Sequence, residues 1–104
     1  MRFAALFLDN VTPADLDPTL SRAHFDYLVD HAGQITMAGG LRPPEGGGFC
    51  GSLWVIEAET EVEAQKLMDE DPYCLAGLRP DRTLYRWGEA PRTRPPTNTP
   101  ARVT

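Results

Sequence analysis

SLWVIEAETEVEAQKLMDEDPYCLAGLRPDRTLYRW, residues 52–87, reads as a strand, a helix and a second strand in succession. Residues 52–57 are rich in β-branched and aromatic side chains, as a strand requires. Thr60 followed three residues later by Glu63 is a capping box, in which each side chain satisfies a backbone N–H that the first helical turn leaves unpaired. Ala64, Leu67 and Met68 then recur at helical spacing and define an inward face. The same period places Asp71 on that face, where Pro72 must interrupt the helix because it lacks an N–H and its ring crowds the preceding turn. A short turn over 73–77 closes on Gly77, and residues 82–87 form the second strand.

Working toward the N-terminus, residues 3–8 are apolar on both alternating faces, the pattern of a strand covered on both sides. Asp17 before Pro18 supplies an N-cap and a proline at the first helical position, and Gly33 supplies a stop, so a helix is expected over 18–32. An earlier helical turn is expected at Thr12-Pro13. At 100° per residue Leu20, His24, Tyr27, Leu28 and His31 share one face, with Arg22, Asp26 and Asp30 opposite. Residues 34–40 read as a further strand with Ile35 and Met37 facing the same way, followed by the loop RPPEGGGFCG (42–51), which regular structure does not tolerate.

The expected order is therefore βαββαβ, the ferredoxin-like α+β arrangement, with both helices on one face of the sheet. Trp54, Ile56 and the doubly apolar first strand leave the other face apolar, so a sheet-on-sheet homodimer is expected. The domain is placed at 1–88. From Glu89 the chain becomes a Pro-rich tail (89–104) with no core-forming pattern, expected to be extended or disordered.

The length of 104 residues suits one domain with a modest core. Net charge is -5, and residues 1–88 carry 7 basic against 14 acidic side chains. Such a body repels phosphate backbones and anionic lipid surfaces, which argues against nucleic acid or membrane as the main partner and for a small molecule or a protein. The two cysteines, Cys50 and Cys74, fall in no CxxC or metal-ligand spacing. The absence of a disulfide framework, of a signal-peptide pattern and of any run near the ~20 apolar residues of a membrane span makes the cytoplasm the expected location.

RAHFDYL (22–28), GQITMAGGL (33–41), GFCGSLWVIEAET (48–60) and EAQKLMDEDPYCLAGL (63–78) together resemble, in order and spacing, the YciI-like family. The resemblance implies a dimeric α+β barrel built on a ferredoxin-like protomer, a pocket between helices and sheet, and a His-Asp pair at His24 and Asp71 with a serine at Ser52. The family includes an enzyme that removes chloride from a chlorinated hydroxyquinol. Muconolactone isomerases and cofactor-free monooxygenases share its fold, and fold alone does not fix function.

Histidine suits proton transfer because its unperturbed pKa lies near neutrality, and a carboxylate on one ring nitrogen sets the tautomer and stabilises the imidazolium. On side-chain chemistry alone, a core histidine satisfied by a carbonyl is the commoner reading of His24. Asp71 before Pro72 is also a good N-cap for the turn that follows. With the resemblance, the catalytic reading is favoured: His24 as general acid/base, Asp71 orienting it, and Ser52, Tyr73 and Arg42 as substrate-binding candidates.

The expected activity is cofactor-free and metal-free elimination, isomerisation or cyclisation of a small organic molecule, the work of a lyase or isomerase. A metabolite-binding or assembly module and a cofactor-free monooxygenase are the competing readings. Gly46-Gly47-Gly48 lacks the Lys-Ser/Thr of a phosphate-binding loop. His31 is too far from His24 along the helix for shared metal ligation.

Overall fold

The computed structural model describes residues 1–8 and 17–94. Its elements are β1 (Arg2–Phe7), α1 (Pro18–Asp30), β2 (Ile35–Leu41), β3 (Gly51–Glu57), α2 (Glu61–Asp69), α3 (Pro72–Leu75) and β4 (Arg82–Arg86). The strands form one antiparallel sheet in the order β2-β3-β1-β4, the ferredoxin-like α+β topology. The expected turn at Thr12-Pro13 and the last ten residues of the tail lie outside the described residues. No helix among the described residues is long and apolar enough to cross a membrane.

Local sequence sets the element boundaries. Asp17 caps α1 by accepting a hydrogen bond from the Thr19 amide, and Thr60 caps α2 by accepting one from the Glu63 amide. Helix α1 ends at Asp30, two residues before the expected Ala32. His31 closes it with its backbone N–H on the Tyr27 carbonyl, and its Nδ1–H donates to the same carbonyl at 2.8 Å.

Phe3, Ala5 and Phe7 of β1 stand beside Ile56, Trp54 and Ser52 of β3 on the face that carries the helices. There Trp54 and Ile56 meet Ala64, Leu67, Met68 and Cys74 in the buried core. This corrects the expectation that Trp54 and Ile56 face away from the helices. The open face instead presents Ala4, Leu6, Leu53 and Val55, which alternate with the core residues, together with Met37 and Tyr85.

Ile35 and Met37 do not share a face either. A register shift lies between them, so that Ile35 stands opposite Ile56 and Met37 opposite Val55. The extra residue of a bulge reverses the alternation, leaving Ile35 buried and Met37 70% exposed. At the head of β3, a Cβ on Gly51 would come 2.3 Å from the Phe7 carbonyl oxygen. Only glycine admits that close approach of β3 to the end of β1.

Candidate active site

Helix α1 delivers His24 from the middle of its inward stripe, and the junction of α2 with α3 delivers Asp71. Both are buried, Asp71 completely. The His24 Nδ1–H donates to Asp71 Oδ1 at 2.5 Å. Asp71 occupies the N-cap position of α3 with Pro72 next, but its side chain makes no cap hydrogen bond. The carboxylate is drawn sideways to the imidazole, which it holds more strongly than a neutral amide because the bond is charge-assisted.

The imidazole is clamped on its faces and edge. Tyr73 stacks on it with centroids 4.2 Å apart and planes at 19°, and Phe25 meets it edge-on at 5.2 Å. The Tyr73 hydroxyl donates to Ser21 Oγ at 3.0 Å, fixing the stacked ring to α1. With Nδ1 committed to Asp71, Nε2 is the ring nitrogen left for chemistry, and His24 lines a cavity of about 290 Å³. That volume lies at the lower end of small-molecule pockets and suits a ligand of about one ring. Trp54, Phe25, Phe49 and Leu28 make much of its wall apolar, while Ser21, Ser52, Tyr73 and Arg79 supply polar groups.

Arg79 escaped the sequence reading. It lies in the turn between α3 and β4, where a Pro-flanked arginine carries no periodic signal that would mark it as buried. In the fold its side chain is only 8% exposed. The guanidinium sits over the rings of Phe7 and Tyr73, at 4.6 Å and 5.0 Å from their centroids. Its Nη2 donates to Ser52 Oγ at 3.1 Å, and its Nη1 stands 3.8 Å from Asp71 Oδ2. That separation is an ion pair without a hydrogen bond, and both atoms are buried with no hydrogen-bond partner among the described residues. Arg82 holds the turn in place, donating to the Arg79 carbonyl at 2.6 Å and to Asp69 Oδ1 at 2.9 Å.

Of the expected site residues, His24, Asp71, Ser52 and Tyr73 are thus brought together. Arg42 is not: its guanidinium lies over the Phe49 ring at 4.2 Å, and Phe49 rather than Arg42 reaches the cavity. Close behind the dyad, burial pushes the Cys74 thiol up to about 12, helped by the negative charge of Asp71. Burial, with the charges of Glu70 and Asp71 adding to it, also pushes the Tyr27 hydroxyl up to about 12; that hydroxyl donates to the Leu67 carbonyl at 2.8 Å. Neither group is a ready nucleophile or acid at neutral pH.

The fold and the cavity define a small α+β domain with a His-Asp pair at the wall of a ligand-sized pocket. The chain belongs to the YCII-related domain family, whose model matches residues 1–88. No curated protein sequence matches it. Among solved structures it is similar to 5-chloro-2-hydroxyhydroquinone dehydrochlorinase from Burkholderia phenoliruptrix AC1100, solved in complex with 2,5-dihydroxybenzoquinone. The two superpose with a TM-score of 0.72 at 24% identity, covering 86% of this chain and 96% of that one. At that identity the likeness is one of fold.

Proposed function

We propose that the chain is a small-molecule enzyme in which His24 Nε2 exchanges a proton with substrate while Asp71 orients the ring and balances the imidazolium. The observation that carries this reading is the 2.5 Å bond from Nδ1 to a fully buried carboxylate in a histidine that lines a cavity. A histidine needed only for packing is satisfied equally well by a backbone carbonyl, as His31 is by Tyr27, without the desolvation cost of burying a carboxylate beside it.

In the simplest sequence the imidazole removes a proton from an O–H or activated C–H of the substrate. The electron pair so released moves into the substrate's conjugated system, and a leaving group departs with its own bonding pair. Return of the proton to a different carbon of the substrate would give isomerisation instead. Neither route asks for a cofactor. The dehydrochlorinase of similar fold motivates hydroxylated and halogenated aromatic rings as first substrates to try. We further propose that two copies pair through the open sheet face, whose apolar residues have no cover among the described residues.

Turnover of a panel of such rings, 5-chloro-2-hydroxyhydroquinone included, is the test, followed by halide release and product analysis. His24→Asn is expected to lower kcat by about 10²–10⁴, the usual contribution of a positioned acid/base, with an unchanged far-UV spectrum. Undiminished kcat in that variant would refute the assignment.

A further inference from the structure

The direction of one hydrogen bond sets what the cavity offers to a ligand. Arginine can only donate, so Ser52 Oγ is the acceptor in its 3.1 Å bond with Arg79 Nη2, and the serine's own hydrogen remains to be given elsewhere. Ser21 Oγ shares a hydrogen bond with the Tyr73 hydroxyl. Both serines line the cavity, and the Ser52 oxygen has a lone pair already engaged by a buried donor. The described residues lining the cavity include no carboxylate, and Arg79 is their one permanently charged side chain. In a chain of net charge -5, this wall is donor-rich and free of negative side chains.

The charges behind the wall reinforce the point. Asp71 alone would be balanced by a protonated His24, so a proton arriving on the imidazole would leave the pair neutral. With the Arg79 guanidinium 3.8 Å from Asp71 Oδ2, the carboxylate already has a counter-charge. A proton arriving on His24 then leaves the three groups with one net positive charge, facing a substrate that has just become more negative. In a largely buried site that complementarity is strong, because the dielectric there is low.

We infer that Arg79 and Ser52 form an oxyanion subsite, and that the substrate carries a negatively charged oxygen beside the atom His24 deprotonates. The guanidinium polarises the Ser52 hydroxyl, which donates to that oxygen, and its positive charge lies directly behind the contact. This inference rests on the proposed function for the role of His24, but it makes a claim about binding that stands without turnover. The charged oxygen belongs either to a carboxylate or to a ring oxyanion, a phenolate or enolate; the subsite reads the charge and acceptor capacity common to both.

The test is the binding of benzoate, 4-nitrophenolate at mildly alkaline pH and neutral benzamide to the full chain, by calorimetry. Both anions are expected to bind at least about tenfold more tightly than benzamide, the range of one charge-assisted hydrogen bond. The tighter anion identifies the carboxylate or the ring oxygen. Arg79→Met should abolish the preference, Arg79→Lys should keep part of it, and His24→Asn should keep it while losing turnover. Should Arg79→Met not fold, the side-chain Nε–H resonance of Arg79 in the unaltered protein decides: it shifts on saturation with benzoate and not with benzamide. Equal affinity for the three probes, or an unmoved Arg79 resonance, overturns the subsite even where turnover is found. Anion preference in a protein that transforms no substrate would retain the subsite and remove the acid/base reading.

Discussion

Asp71 carries one negative charge that two cations can share, His24 through a hydrogen bond and Arg79 across 3.8 Å. A buried carboxylate is tolerable only when so compensated, and its field is felt by the neighbouring acids. Cys74, ordinarily near 9.0, and Tyr27, ordinarily near 10.0, both rise to about 12, mainly through burial and further through carboxylates that include Asp71. These are acids whose folded values lie above their unfolded ones. The unfolded chain therefore releases their protons first as pH rises. The stability they contribute is intact below about pH 9 and is lost progressively as pH climbs through about 12. The urea midpoint is accordingly expected to fall steeply between mildly and strongly alkaline buffers, and Cys74→Ala should flatten part of that fall. A midpoint independent of pH across this window would show that the two side chains are not buried as described.

The sheet is the element whose two faces have different tasks. One face carries the core and supports the cavity, while Leu6, Leu53, Val55, Met37 and Tyr85 make the other apolar and open. If two copies pair there, Val55→Lys places a charge at the centre of the contact, and sedimentation should change from a mass of two chains to one. A wild-type chain that sediments as a monomer at all concentrations would end that proposal. The element order was legible in the sequence because capping residues and periodicity are local: Asp17-Pro18 and the Thr60–Glu63 box mark the starts of α1 and α2 where the structure has them. Face assignment was less so. The bulge between Ile35 and Met37 reverses one strand's alternation without any glycine or proline to announce it. The orientation of Trp54 depends on which face the helices choose, and that is decided by packing across the whole sheet rather than by β3 itself.

At the scale of the whole molecule, the site is an outcome of topology. Residues 24 and 71 are 47 positions apart and meet because both helical connections lie on one sheet face, bringing the middle of α1 against the α2–α3 junction. The dyad was legible because each member ends or centres an apolar stripe and because the segments around both carry the family resemblance. Arg79 was not, since nothing local distinguishes a buried arginine in a turn from a solvated one; its role exists only once Phe7, Tyr73, Ser52 and Asp71 surround it. The most direct test of the account is the state of the His24 ring, read from two-bond 15N–1H correlations in histidine-labelled protein. In the neutral ring the proton should reside on Nδ1, held by Asp71, with Nε2 unprotonated, and Asp71→Asn should remove that preference. A neutral His24 with its proton on Nε2, unaffected by Asp71→Asn, would contradict the dyad and every catalytic role built on it.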